Sequence, residues 1–131
     1  MAHYAKGHEL ATAANNLPQV YYHGINLAFL EFVFRGDLPA ARRRGQEVLT
    51  ACSAAEAAGV ADEWIWPTRG EANLLLGDKA AALAAYQRFI GAGNDPWKLA
   101  STYLNARNIA AEYGKRDLAR SVGEVFGDAN P

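Results

Sequence analysis

Asp62-Glu63-Trp64-Ile65-Trp66-Pro67-Thr68-Arg69-Gly70-Glu71-Ala72-Asn73-Leu74-Leu75-Leu76-Gly77-Asp78-Lys79-Ala80-Ala81-Ala82, with Tyr86 and Phe89 just beyond, reads as one helical hairpin. Trp66, Gly70 and Asn73 are spaced by four and then three, so they share a helix face. Gly77 is the residue type that closes a helix, and Asp78 the type that accepts from the first free amides of the next. Ala82, Tyr86 and Phe89 form the facing stripe. A small side chain at Ala82 lets the two helices approach closely, and Tyr86 fills the space that opens beyond it. Pro67 conflicts with a helix starting at Asp62, because deep in a helix it offers no donor to the carbonyl four residues back. Either regular helix begins nearer Trp64 or the helix kinks at Pro67.

The same punctuation recurs on both sides. Upstream, Gln19 to Phe34 carries Ile25, Ala28, Phe29 and Phe32 at the spacing of a buried stripe. Gly36-Asp37 stops that helix, Pro39 sits in the first turn of the next, and Ala41 holds the place five after the glycine. Downstream, Asp95-Pro96 is a strong helix start, Tyr103, Ala106 and Ala110 point inward, and Gly114 ends the run. The last helix buries Leu118, Ala119, Val122 and Phe126, Ala119 again standing five after its glycine. An alanine-rich helix over 2–15, locally weakened by Gly7, precedes the first pair and reads as the second half of an incomplete repeat or as an end cap.

The turn glycines Gly36, Gly77 and Gly114 lie 41 and 37 residues apart. These periods exceed the roughly 34 residues of a tetratricopeptide unit by loop length alone. The expected fold is all-α, a tetratricopeptide-like right-handed superhelix of antiparallel helix pairs with about seven helices. It forms a single domain over 1–131, with a lone helix at 2–15 and repeats at about 19–58, 62–91 and 95–126. No polar capping helix follows Phe126, which predicts half-exposed Val122 and Phe126 and association, a homo-oligomer, through that end.

Composition narrows the function. Half of the 131 residues are apolar, and thirteen Lys and Arg against fourteen Asp and Glu leave a formal charge of −1. That balance does not supply the basic face a nucleic-acid partner needs. One cysteine, Cys52, gives neither a disulfide nor a cysteine-rich zinc site. No apolar run reaches the length of a membrane span or of a signal peptide, so a cytoplasmic protein is expected. Arg42-Arg43-Arg44 reads as a solvated face.

Several blocks together resemble a known family. Tyr21-Tyr22-His23-Gly24-Ile25-Asn26 in the first repeat, Trp64, Thr68, Glu71-Ala72 and Leu75-Leu76-Gly77-Asp78 in the second, and Asp95-Pro96-Trp97 in the third carry the likeness. They look like the TRAFs-binding domain of apoptosis signal-regulating MAP kinase kinase kinases and its bacterial tetratricopeptide relatives, over roughly residues 6–126. The resemblance implies a signalling scaffold that receives protein partners and regulates an attached or neighbouring effector.

In such stacks the first helix of each pair lines a concave groove. Set in register from the turn glycines, the groove positions are His23 and Asn26, then Trp64 and Glu71, then Ser101, Asn108 and Glu112, with Tyr22, Trp64 and Trp97 as aromatic rims. This mildly acidic lining suits a peptide or protein segment carrying Lys or Arg. The alternatives are that Asn26 and Glu71 only hold neighbouring backbone or adjacent helices in register, and that the module is a sensor closing on a small polar ligand. Arg69, Asn73 and Arg107 fall where helices pack. A buried arginine there needs a partner, for which Glu71, Glu112 and Asp62 are the candidates, the other reading being that these residues snorkel outward. His3 and His8 lie on different helix faces and make poor metal ligands for each other. Cys52 beside His23 is a weak nucleophile reading against that of a small buried apolar residue. No catalytic cluster, metal site or cofactor motif is expected, and the chain reads as a non-enzymatic interaction module.

Overall fold

The turn residues set the helix boundaries. In a computed structural model that describes residues 1–127, the chain forms seven helices and, among those residues, no strand. They are α1 (Ala2–Ala13), α2 (Leu17–Val33), α3 (Leu38–Ala57), α4 (Ile65–Leu76), α5 (Lys79–Gly91), α6 (Pro96–Tyr113) and α7 (Arg116–Phe126). Gly36, Gly77 and Gly114 all adopt positive φ, the conformation a side chain resists and a helix end requires. Asp37 Oδ1 accepts from Ala40 N and Asp78 Oδ1 from Ala81 N, both at 3.1 Å, so each Gly-Asp pair closes one helix and caps the next.

Three boundaries differ from the sequence expectation, each for a local reason. The first helix ends at Ala13, because Asn15 takes the left-handed conformation and does what glycine does elsewhere. Asn16 then caps α2 through its side chain, accepting from Gln19 N at 3.4 Å, which lets α2 begin at Leu17 with Pro18 in the first turn. The Pro67 conflict resolves as a late start. Regular helix begins at Ile65, so Pro67 is the third helical residue, where an amide would have no helical partner anyway. Asp62 belongs to the preceding loop. Its carboxylate accepts from the Tyr21 hydroxyl and, at 3.1 Å, from Trp64 N, while Asp62 N donates back to the Tyr21 hydroxyl at 3.0 Å. Burial and the Asp62 contact together push the Tyr21 hydroxyl well above the ordinary tyrosine range.

Consecutive helices pack as α2 on α3, α4 on α5 and α6 on α7, with α1 laid on α2 and α3 against α4. One apolar cluster runs through them, including Tyr21, Ile25, Ala41, Leu75, Tyr86 and Ile109. Tyr86 packs so closely on α4 that a Cβ added at Gly70 would lie 2.5 Å from its ring. Val122 and Phe126 are fully buried, Phe126 packing at 5.2 Å from Tyr86 and 5.5 Å from Tyr103, ring centre to ring centre. The half-exposed end expected at the last helix is therefore absent. Its apolar residues are consumed within the chain, and they no longer motivate a homo-oligomer. No helix among the described residues is long and apolar enough to cross a membrane.

The odd-numbered partners aside, α2, α4 and α6 also touch one another. Their C-terminal ends converge. The Phe32 and Tyr113 rings lie 4.7 Å apart, and the Tyr113 hydroxyl donates to Leu75 O at 2.5 Å. Arg42 joins the same carbonyl through Nε at 3.0 Å and reaches the Tyr113 hydroxyl at 3.4 Å. Arg44 holds Glu31 at 2.5 Å, so two of the three arginines in the run bind their own chain and do not merely face water. On the N-terminal side of these contacts, residues of α2, α4 and α6 line a cleft.

Candidate cleft between the second, fourth and sixth helices

Burying a polar side chain is unfavourable unless something compensates, so the places where a helical protein does so are informative. Among the described residues three polar or charged side chains are buried: Thr68, Glu71 and Thr102. All three line one cleft, with Tyr22, Ile25 and Asn26 from α2, Trp64 and Pro67 from α4, and Ser101 and Asn105 from α6. Its free space is small, about 80 Å³. By the allowance of roughly 10–15 Å³ per water, it holds a few waters or the charged end of one long side chain.

Glu71 is the chemical centre. The carboxyl is 7% exposed and forms no ion pair among the described residues. Burial raises its pKa to about 7, with the Asn105 side chain acting in the opposite direction. Near neutral pH it is thus poised between acid and carboxylate. Burial and then the Glu71 charge push the Tyr86 hydroxyl well above its usual range, and among the described residues that hydroxyl has no hydrogen-bond partner. What Glu71 lacks among the described residues is a cation to offset its charge, which is the condition under which an incoming cation gains most.

Of the residues expected in the groove, the cleft brings together Tyr22, Asn26, Trp64, Glu71 and Ser101. Asn26 also donates to Tyr22 O at 2.8 Å, within its own helix, so it serves backbone and cleft at once. Asn108 and Glu112 lie outside. They continue the Ser101 face of α6 toward its C-terminal end, beyond the residues that line the cleft. His23 also turns away, against α1. Its ring lies against Gly7, where an added Cβ would sit 2.4 Å from it, and 6.2 Å from the His3 ring. Burial, followed by the charges of His3 and His8, lowers its pKa.

Trp97 stands outside the cleft and 62% exposed, 6.3 Å from Trp64 ring to ring. Lys98 Nζ lies 5.5 Å from the Trp64 ring and 5.7 Å from that of Trp97, and pairs with Glu63 at 2.9 Å. The expected aromatic rim for a visiting cation is thus already filled by the chain's own lysine. Asn105, Thr68 and Thr102 were not singled out by register. For Asn105 the signal was present, since it follows Ser101 by four and precedes Asn108 by three.

Among the seam residues Arg107 turns outward, as the snorkelling reading expects, while Arg69 finds a partner outside the expected three. Arg69 pairs with both oxygens of Glu56 at 3.1 Å and stacks 4.9 Å from the Trp66 ring, so its partner is none of Glu71, Glu112 and Asp62. Asn73 donates to Arg69 O at 2.9 Å, and Arg107 is exposed beside Tyr103. Cys52 is fully buried and its thiol is pushed up to about 12 by that burial, so it is not a nucleophile. Compared with known proteins, the chain matches no family model, no curated protein and no solved structure.

Proposed function

We propose that the chain is a tetratricopeptide-like interaction module whose cleft receives a lysine or arginine side chain from a protein or peptide partner. One observation carries the reading: Glu71 is a buried carboxyl, without an internal cation, at the bottom of a cleft whose walls are hydrogen-bonding groups. A docked ammonium or guanidinium would favour its ionised form and form charge-assisted hydrogen bonds there. The Gly-Asp turns, buried Ala41 and Ala82, and the Gly70–Tyr86 contact support the repeat architecture. Tyr21, which fixes the loop ahead of α4, and Ile25 and Asn26, which enter the cleft, give the Tyr-Tyr-x-Gly-Ile-Asn block a structural job consistent with a TRAFs-binding-domain scaffold in signalling. The meeting of α2 with α6 makes this a pocket for one anchor residue in place of an extended peptide groove.

The reading as a sensor of a larger polar molecule is disfavoured by the volume, about 80 Å³ against the roughly 300 Å³ or more of an ordinary small-molecule pocket. The test is a titration of blocked arginine and lysine amides, followed by amide shifts in NMR. Shifts centred on Asn26, Glu71 and Asn105 that strengthen as pH rises through about 7, and vanish in Glu71→Gln, are expected. Shifts unaffected by that substitution would sink the proposal.

A further inference from the structure

A second concavity lies at the other end of the helices, between the turns. It is larger, about 380 Å³, and four of its lining side chains are cations: Arg42 from α3, Lys79 from the start of α5, and Lys115 and Arg116 from the α6–α7 turn. Asp117 is the one acid among the lining residues, and it leans to Arg120 at 3.7 Å. None of the four cations has a carboxylate partner within ion-pair distance among the described residues. In a chain of formal charge −1, four unpaired cations around one hollow are a local concentration that the overall balance hides.

Their origin matters as much as their number. They come from three separate elements, so they surround a point where a run along one helix would make a strip. Arg42 is also held in place, since Nε and Nη2 are engaged by Leu75 O and the Tyr113 hydroxyl, which leaves the rest of the guanidinium to a ligand. The remaining walls are Leu74, Leu118 and the Tyr113 ring, which has Lys115 Nζ 5.6 Å from its centre. A compact polyanion with an apolar or aromatic body matches such a lining, and the volume falls in the range of roughly 300–1,000 Å³ typical of small-molecule sites.

We propose that this hollow is an anion site for an organic phosphate of nucleotide size, its phosphates among Arg42, Lys79 and Arg116 and its body against Tyr113 and Leu118. The first turn of α7 adds to the cationic side chains: Lys115, its N-cap residue, makes no side-chain cap bond. The site is independent of the Glu71 cleft, and its test is chosen to keep the two apart.

Titration of the full chain with ADP and with inorganic pyrophosphate, by calorimetry at physiological salt, is the experiment. Saturable binding of ADP with a dissociation constant below about 1 mM is expected, with pyrophosphate weaker because it lacks the body. Lys79→Glu with Arg116→Glu should weaken ADP by more than about tenfold. Arg35→Glu with Arg43→Glu, which alters the same net charge on exposed positions outside the hollow, and Glu71→Gln should leave ADP binding unchanged. Absence of saturable ADP binding, pyrophosphate binding as tightly as ADP, or equal weakening by the Arg35/Arg43 pair would each overturn the proposal.

Discussion

The two concavities are opposites. The cleft between the N-terminal halves of α2, α4 and α6 is small, walled by side chains the fold has already fixed, and centred on one buried acid. The hollow at the turns is several times larger, and its charged groups are exposed side chains that the fold barely restrains apart from Arg42. Desolvation explains the difference. A carboxyl held in the core is made sensitive to pH and to any cation that reaches it, whereas exposed lysines and arginines act together through number and placement. Changes at the cleft should therefore register in stability, and changes at the hollow chiefly in binding.

The largest effect expected near the cleft comes from the packing of α4 on α5 at Gly70, next to Glu71. In Gly70→Ala the new Cβ would lie 2.5–2.8 Å from three atoms of the Tyr86 ring, which is fully buried and packed against Phe126. Replacing glycine inside a helix ordinarily helps by about 1 kcal/mol. Here overpacking wins, and a net loss of about 2 kcal/mol is expected in urea unfolding. A variant as stable as the wild type would mean that Tyr86 can yield, and that the core beside Glu71 is softer than its packing suggests.

Next comes the acid itself. Glu71 has a folded pKa of about 7, above the ordinary 4.5, so its protonated form is favoured by folding. The contribution to stability is complete below about pH 4.5 and is lost as pH rises through about 7. Glu71→Gln should abolish that dependence and, at about pH 8, be more stable than the wild type by on the order of 2 kcal/mol. Thermal melts of both proteins from about pH 5 to 8 measure this directly. Parallel curves over the whole range would show that Glu71 is not buried as a lone carboxyl.

The sequence made the helices legible and the relation between them less so. Gly36-Asp37 and Gly77-Asp78 are local signals, and the turns they predict are formed as expected, as are the buried stripe of Ala82, Tyr86 and Phe89 and that of Ile25, Ala28 and Phe32, with Phe29 only partly buried. Asn26 and Glu71 were brought to one cleft because register along a helix is also local. Asn108 and Glu112 were misplaced because the closure of α6 on α2 depends on the Phe32–Tyr113 contact, between residues 81 positions apart, which no periodicity encodes. Lys98 between the tryptophans, Glu56 on Arg69 and the four-cation hollow were invisible for the same reason. Each is a meeting of side chains from different helices.

The third turn gives the smallest effect and the sharpest contrast. Two turns are Gly-Asp, with the aspartate capping the next helix, but the third is Gly114-Lys115, and Lys115 caps nothing. Its backbone is already extended, as an N-cap requires, so Lys115→Asp would place a cap where the other turns have one. A gain of about 1 kcal/mol in unfolding free energy is expected. The same substitution removes one cation from the hollow and puts an acid in its place, so ADP affinity should fall as stability rises. A cap that stabilised without weakening ADP would leave the missing aspartate unexplained by the anion site. A loss of both would mean that Lys115 supports the turn in some way other than its charge.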